Sequence, residues 1–135
     1  MAGYSGTPLI QKLGIKPGQR ILIVNPPPDY ETTLGPLPDG VEQATGLVGQ
    51  FDFIHFFTTE RAEFEARYPN LRAALRPAGM LWISWPKKAS KVPTDLTEDV
   101  IRNHALTNGL VDVKVAAIDA VWSGLKLVIR RKDRA

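Results

Sequence analysis

The stretch FDFIHFFTTERAEFEARYPNLRAALRPAGMLWISWP, residues 51–86, decides the fold. Seven residues from Phe51 are nearly all apolar, and a charged segment with regularly spaced apolar residues follows them. A turn at Pro77-Ala78-Gly79 then leads into a second apolar run from Met80 to Trp85. Apolar runs without alternation are typical of strands that are covered on both faces. The stretch therefore predicts one complete strand, helix, strand unit of a parallel sheet.

The helix within this unit is predicted from the spacing of its apolar residues. They recur every three or four positions after Thr59 and are Phe64, Tyr68, Leu71 and Leu75. This spacing places them on one face of a helix, which we expect to pack on the sheet. Thr59 is the expected N-cap, and Pro69 predicts a kink or two abutting helices. Glu60 and Glu63 fall near the positive N-terminal end of the helix dipole.

Upstream of this unit, the sequence predicts a short helix and a first central strand. Thr7-Pro8 offers an N-cap followed by proline at the first helical position, and Gly14 suits the C-cap, so a helix is predicted over residues 8–13. The run RILIV, residues 20–24, indicates a strand that is covered on both faces. The three prolines of residues 26–28 end it, because proline cannot donate a backbone hydrogen bond.

The remaining elements are predicted from shorter patterns. Residues 29–50 combine a helical turn over residues 29–34, a loop rich in glycine and proline, and a short strand near residues 41–44. The sequence Asp95-x-x-Glu98 resembles a capping box, which predicts a helix from about Asp95 to Asn108-Gly109. Two strand-like runs over residues 110–118 and 122–130 then predict an antiparallel pair.

The first of these two closing runs has the alternation of a half-exposed edge strand. Its valines alternate with polar residues in the order Val111, Asp112, Val113, Lys114 and Val115. Successive side chains of a strand point to opposite faces, so we expect one face of this strand to be buried and the other exposed.

The composition fits one soluble globular domain over residues 1–135, with 44% hydrophobic and 23% charged residues. No apolar run approaches the roughly 18 residues needed to cross a membrane, and the N-terminus lacks a signal-peptide pattern. We therefore expect a cytoplasmic protein without a membrane partner. The absence of cysteine excludes disulfides, thiolate catalysis and cysteine-based metal sites.

The formal net charge of +3 comes from the C-terminal tail. Four basic residues there outweigh one acid, and they are Arg130, Arg131, Lys132 and Arg134 against Asp133. The tail lacks the clustered basic face that nucleic-acid binding requires, so it is interpreted as a solvated end rather than a nucleic-acid contact.

The order of elements resembles the class I S-adenosylmethionine-dependent methyltransferases, whose later half runs strand, helix, strand, helix and a terminal antiparallel pair. FDFIHFF is similar to the family's fourth strand, LRPAGMLWISWP to its glycine-containing turn and fifth strand, and residues 111–130 to the final pair. The resemblance implies an α/β, three-layer Rossmann-like fold with a mixed sheet of five or six strands. The chain as a whole resembles small bacterial proteins with a reduced methyltransferase-like core.

The first half departs from the family pattern. The family's first strand should lead into a glycine-rich loop that approaches the cofactor, but here the loop is Asn25-Pro-Pro-Pro-Asp-Tyr30. Only residues 26–50 separate the first strand from Phe51, so two strands and their helices are mostly missing, together with the acidic residue that binds the cofactor's ribose. Asn25-Pro26-Pro27 also resembles the Asn-Pro-Pro-aromatic motif of amino-methyltransferases, but its fourth position is Pro28. No cofactor-binding residue is transferred, and the cofactor stays unknown.

Candidate ligand residues follow from the fold, because open α/β sheets bind ligands outside the carboxyl ends of their strands. The polar and aromatic residues at those positions are Asn25, Asp29, Thr58, Thr59, Trp85 and Lys87. Thr59 has the competing role of a helix N-cap. Trp85 either covers the core or, beside Lys87 and Lys88, stacks on a base or holds an anionic group.

No catalytic residue and no metal site is predicted. His55, inside an apolar strand, is interpreted as a hydrogen-bonded core residue, and His104 as a residue at the edge of a helix's apolar face. The sequence has no third histidine or acid pair with metal-ligand spacing, no Gly-x-Ser-x-Gly elbow and no Gly-x-x-x-x-Gly-Lys loop.

These observations favour a non-catalytic, methyltransferase-like binding or interaction module. The alternative is a small-molecule enzyme, or an S-adenosylmethionine-dependent methyltransferase, with an atypical site formed by the proline loop, Thr58 and the segment Trp85–Lys91. A third, weaker hypothesis is nucleic-acid binding through Lys87, Lys88, Lys91 and the tail. The partner is unknown, and a homodimer is expected because missing helices would leave sheet surface uncovered.

Overall fold

The computed structural model describes residues 7–134 and contains one mixed sheet of six strands in the order β2-β1-β3-β4-β6-β5. The strands are β1 (Arg20–Val24), β2 (Glu42–Ala44), β3 (Phe51–Phe57), β4 (Leu75–Pro86), β5 (Leu110–Ala117) and β6 (Trp122–Ile129). The first four strands are parallel, whereas β6 runs antiparallel between β4 and β5. The predicted α/β sheet with a terminal antiparallel pair is confirmed.

Helices cover both faces of the sheet. They are α1 (Leu9–Leu13), α2 (Tyr30–Leu34), α3 (Arg61–Ala73) and α4 (Glu98–Thr107), with short 3-10 turns at Lys88–Ser90 and Arg131–Asp133. Buried residues of α3 and α4 pack with Phe56 and Leu81, and those of α1 and α2 pack with Phe53 and Trp82 on the other side. Within residues 7–134, no helix is long and apolar enough to cross a bilayer.

The central strands are buried because they carry large apolar side chains toward both helical layers. Trp82 of β4 is fully buried, and its Nε1 donates a hydrogen bond to the carbonyl of Leu13 at 2.9 Å. This bond connects α1 to the middle of the sheet, and complete burial of such a side chain contributes about 2 kcal/mol or more. The predicted three-layer arrangement is therefore confirmed.

The start of α3 differs from the prediction. Glu60, not Thr59, occupies the N-cap position, and its side chain makes no capping hydrogen bond. The first backbone N–H groups are satisfied by neighbouring residues instead: Thr58 Oγ1 accepts from Glu60 N at 3.1 Å, and Asp95 Oδ1 accepts from Arg61 N at 2.7 Å. The prediction of a Thr59 cap is wrong because a residue from a distant segment supplies the acceptor.

The end of α3 also needs correction. The helix runs through Pro69 to Ala73 as one element, so the prediction of two abutting helices is wrong. Pro69 has no N–H to donate to the carbonyl of Glu65, yet four more residues follow it in the helix. Leu75 does not belong to the helix face, because it is the first residue of β4 and pairs with Phe51.

The predicted turn at residues 77–79 is a wide bulge within β4 rather than a turn before it. Phe51 pairs with Leu75 and Phe53 pairs with Met80, so the chain between these pairs is longer on β4 than on β3. A Cβ on Gly79 would lie 2.8 Å from the carbonyl oxygen of Phe51, so glycine is required by this close approach of two backbones.

The starts of α1 and α4 are also displaced from their predicted positions. Helix α4 begins at Glu98 with Thr97 as its N-cap, and Thr97 Oγ1 accepts from Val100 N at 3.2 Å. The predicted cap at Asp95 is wrong because that carboxylate caps α3. Helix α1 begins at Leu9 with Pro8 at the N-cap position, one residue later than predicted. The predicted ends at Gly14 and at Asn108-Gly109 are confirmed.

The first half and the far edge of the sheet complete the fold. A five-residue helix, α2, and the three-residue strand β2 lie between β1 and β3, as predicted for a shortened unit.

Strand β5 is an edge strand, but its predicted alternation of buried and exposed side chains is wrong. A bulge between Asp112 and Lys114 breaks the register, and Val113 and Val115 are both exposed, at 58% and 46%.

Candidate functional site

The carboxyl ends of β1 and β3 form the position where an open α/β sheet binds its ligands. These two strands are neighbours and parallel, but the chain continues from β1 to one side of the sheet and from β3 to the other. A crevice is expected at such a topological switch point. Two predicted candidates lie here, since Asn25 follows β1 directly and Thr58 follows β3 directly.

Side chains bridge this switch point. Asn25 Nδ2 donates to the carbonyl of Phe57 and to Oε2 of Glu63, both at 3.3 Å. Thr58 Oγ1 donates to Oε1 of the same carboxylate at 2.5 Å. Arg67 Nη1 lies 3.8 Å from Glu63 Oε2 and balances its charge. We call Asn25, Thr58 and Glu63 the switch-point bridge, because together they connect the ends of β1 and β3 to the first turn of α3.

The backbone at Asn25 adopts a conformation that suits this bridge. Its φ angle is 56°, in the left-handed region, and asparagine is among the non-glycine residues that tolerate this region best. Pro26 disfavours the right-handed helical conformation in the residue before it, which is consistent with Asn25 lying outside that region. The left-handed turn orients the Asn25 amide toward β3 and α3.

The loops around the bridge offer few groups to a cofactor. The three prolines of residues 26–28 have no backbone N–H groups, and the segment after β2, residues 45–50, contains no acidic residue. A pocket of about 290 Å³ does lie beside this loop, lined by Ile23, the prolines, Tyr30, Glu31 and Gln43. Asp29 is exposed at the start of α2, where its carbonyl accepts hydrogen bonds from Thr33, and it joins neither the bridge nor this pocket.

His55 belongs to a buried polar chain beneath the loop. The hydroxyl of Tyr30 lies 2.8 Å from His55 Nδ1, and the hydroxyl of Ser84 lies 2.7 Å from Nε2. Burial lowers the pKa of His55 to about 3, so the ring is neutral near pH 7 and carries one donor and one acceptor nitrogen. Burial also raises the pKa of Tyr30. The interpretation of His55 as a hydrogen-bonded core residue is confirmed.

A second cleft, of about 590 Å³, lies beyond the carboxyl end of β4. Two predicted candidates, Trp85 and Lys87, are found together in its wall. The other lining residues come from the segment that leads to α4 and from β6, and they are Pro86, Lys88, Lys91, Val92, Pro93, Thr94, Leu96, Thr97, Glu98 and Ser123. We call this space the lysine cleft.

The sequence did not identify every residue of these two sites. Glu63 was interpreted only as an acid near a helix dipole, and its contacts with Asn25 and Thr58 depend on how α3 crosses the end of β1. Ser123 reaches the lysine cleft because it pairs with Trp85 across β4 and β6. Thr59, in contrast, contributes its carbonyl to Thr94 Oγ1 at 2.6 Å and supports the loop next to the cleft.

Metal binding has no support in the part of the chain that the structure describes. No group of three or more histidine, cysteine, aspartate or glutamate side chains in residues 7–134 could hold a metal ion. His104 packs edge-on against Tyr68 with ring centres 5.0 Å apart, and its Nδ1 lies 3.8 Å from Glu65 Oε2. This is the environment predicted for a residue at the boundary of an apolar helix face.

Solved structures, two of them named as methyltransferases, resemble this fold at low sequence identity. A DhpI complex with SAH superposes with a TM-score of 0.59 at 14% identity, covering 90% of this chain and 82% of that one. Magnesium protoporphyrin IX methyltransferase (ChlM) from Synechocystis PCC 6803 with bound SAM has a TM-score of 0.59 at 14% identity, covering 90% and 74%. The N-methyltransferase NodS from Bradyrhizobium japonicum WM9 has a TM-score of 0.58 at 15% identity, covering 90% and 92%.

These likenesses establish the fold over most of the chain. No protein-family model matches the sequence, and no curated protein matches it. The chain therefore has the fold of class I S-adenosylmethionine-dependent methyltransferases, as its element order indicated.

Proposed function

We propose that this chain is a non-catalytic, methyltransferase-like module that binds a partner or ligand without transferring a methyl group. The observation that carries the proposal is the switch-point bridge, in which Asn25 and Thr58 both donate to the carboxylate of Glu63. The bridge spans the crevice in which a methyltransferase of this fold is expected to hold its cofactor.

The bridge opposes cofactor binding for an energetic reason. A ligand that entered the crevice between β1 and β3 would have to separate Glu63 from its donors. Hydrogen bonds to charged groups contribute about 1.5–3 kcal/mol each. The Glu63 side chain is 37% exposed, and solvent screening weakens such bonds. Each hydrogen bond of the bridge therefore contributes an energy near or below the lower end of that range. The ligand would then find proline nitrogens where methyltransferases offer backbone N–H groups.

One feature favours the alternative, an enzyme with an atypical cofactor site. The pocket of about 290 Å³ beside the proline loop contains the side chain of Glu31, an exposed carboxylate on the first turn of α2. A carboxylate is the group with which methyltransferases hold ribose hydroxyls, so this pocket is where an unusual adenosyl site would form.

Calorimetric titration of the purified chain with S-adenosylmethionine and S-adenosylhomocysteine tests the two functions. The non-catalytic module shows no heat of binding with either compound, and amide spectra show no shifts at residues 29–31 or 58–63. Binding that Glu31→Gln abolishes, and that the matched change Glu65→Gln on the outer surface of α3 leaves intact, would instead establish the atypical enzyme site.

A further inference from the structure

The lysine cleft carries three ammonium groups that no carboxylate of the described chain neutralises. Lys87, Lys88 and Lys91 line the cleft, and none of them takes part in an ion pair within residues 7–134. Like charges placed close together repel one another, so this arrangement favours an anion that would bind among them.

The acid of the cleft is already engaged. Glu98 lines the cleft, but its carboxylate bonds to the guanidinium of Arg102 one turn later on α4. Arg102 also contacts Asp99 and Asp112, so its one guanidinium is shared by three carboxylates. Glu98 therefore has a cationic partner of its own and, within the described chain, forms no ion pair with Lys87, Lys88 or Lys91.

Two further donors in the cleft lack acceptors. The indole N–H of Trp85 makes no hydrogen bond within the described chain, although the residue is only 6% exposed. In the described chain, no fully buried side-chain nitrogen or oxygen lacks a hydrogen-bond partner. The unpaired N–H of Trp85 is therefore accessible to solvent. Trp85 lines the lysine cleft, so we infer that its N–H faces this cleft. The hydroxyl of Ser123, which pairs with Trp85 across the two strands, also has no partner among residues 7–134.

The wall of the cleft is held in place and is partly apolar. Ser90 Oγ donates to the carbonyl of Lys87 at 2.7 Å, and Thr94 Oγ1 donates to the carbonyl of Thr59 at 2.6 Å. Lys91 between them has a φ angle of 61°, a strained conformation that such contacts stabilise. Val92, Pro93 and Leu96 add apolar surface. The cleft thus combines cationic and hydrogen-bond-donor side chains with apolar surface.

From this geometry we propose that the lysine cleft binds a small organic anion whose carboxylate or phosphate contacts the lysines and Trp85 Nε1, and whose apolar or aromatic body lies against Val92, Pro93 and Leu96. The inference rests on the proposed binding role and names its ligand class. Carboxylate and phosphate share the anionic oxygens that the donors require, so experiment must distinguish them.

Two pairs of probes that differ in charge test the proposal on the full chain. One pair is indole-3-acetate and indole, and the other is adenosine 5′-monophosphate and adenosine. The readout is the indole N–H resonance of Trp85, assigned with Trp85→Phe. We expect the charged member of at least one pair to shift this resonance saturably and its neutral partner to shift it much less. The pair that responds distinguishes carboxylate from phosphate.

Two matched triple variants identify the charges responsible. Lys87→Gln/Lys88→Gln/Lys91→Gln should weaken binding by about tenfold or more, since loss of one charge-assisted hydrogen bond has this effect. Lys16→Gln/Arg131→Gln/Lys132→Gln removes the same charge elsewhere and should change affinity by about twofold or less, because distant exposed charges are screened by salt. The thermal midpoints of both variants verify folding.

The outcomes separate this inference from the proposed function. No saturable shift with any probe, or equal weakening in both triple variants, would overturn the lysine cleft as an anion site while leaving the non-catalytic module unaffected. Amide shifts with S-adenosylmethionine at residues 29–31 or 58–63 would overturn the non-catalytic module, but leave a charge-dependent response of Trp85 intact.

Discussion

Oγ1 of Thr58 lies 2.5 Å from Oε1 of Glu63, so the residue that follows β3 is hydrogen-bonded directly to the first turn of α3. Asn25 donates to the other oxygen of the same carboxylate at 3.3 Å. A single side chain thus connects two strand ends and a helix at the position where the fold normally admits a ligand. We therefore expect the two hydrogen bonds of Glu63 to stabilise the fold and to keep the ends of β1 and β3 connected.

Glu63→Ala should lower the free energy of unfolding by about 1–2 kcal/mol, because it leaves the donors of Asn25 and Thr58 without their carboxylate. Urea denaturation measures the loss. The control is Glu65→Ala on the same helix, whose ion pair with Arg61 is exposed and has i,i+4 spacing. Such pairs contribute about 0.3–0.5 kcal/mol, so equal losses in both variants would contradict a stabilising role for the bridge.

Acid should destabilise the protein through His55. Burial lowers the pKa of this ring to about 3, below its ordinary value of about 6.5, so between these pH values the unfolded chain binds a proton that the folded chain does not. Stability is therefore greatest above about pH 6.5 and falls as the pH decreases toward 3, by several kcal/mol at most.

Urea denaturation at a series of pH values measures this dependence. The matched control is His104→Gln, which removes the more exposed histidine and should leave most of the slope between pH 6.5 and 3 unchanged. His55→Gln should be less stable at pH 7, since Tyr30 and Ser84 lose their shared partner, but its slope should be smaller. An unchanged slope in His55→Gln would assign the acid sensitivity to the carboxylates instead.

The strands could be predicted closely from the sequence, whereas the helix starts could not. Uninterrupted apolar runs report burial on both faces, and residues 20–24 and 51–57 coincide with β1 and β3. A helix start depends on which acceptor reaches its first N–H groups. For α3 one acceptor is Asp95, 34 residues away from Arg61 in sequence, and local patterns contain no information about it.

In the candidate sites too, local sequence predicted some residues, whereas contacts between distant residues could not be predicted. Strand ends identified Asn25, Thr58, Trp85 and Lys87, because the carboxyl ends of parallel strands share one edge of the sheet. The contact between Asn25 and Glu63 joins residues 38 positions apart and depends on the path of α3 over that edge. An acid in the first turn of a helix already has a local explanation, so its second role could not be inferred from the sequence.

Asp95 caps α3 and Thr97 caps α4, so substitutions at these two residues can be compared directly. Asp95→Ala should cost about 1 kcal/mol through loss of the bond to Arg61 N in α3, and Thr97→Ala should cost a similar amount through α4. Amide hydrogen exchange distinguishes the two variants, since the first should expose the N-terminal turn of α3 and the second that of α4. Faster exchange in α4 with Asp95→Ala would support the capping box that the sequence indicated.

Gly79 should tolerate no side chain, because two backbones approach each other at the bulge of β4. A Cβ at this position would lie 2.8 Å from the carbonyl oxygen of Phe51 and 3.0 Å from that of Arg76, and neither backbone group can rotate away as a side chain would. Gly79→Ala should therefore reduce the free energy of unfolding by about 1–3 kcal/mol. The matched control is Gly46→Ala, where a Cβ would meet no atom within 4 Å and should change stability by about 0.5 kcal/mol or less. Urea denaturation of both variants measures the difference, and equal stabilities would show that the strands separate at the bulge to accommodate the methyl group.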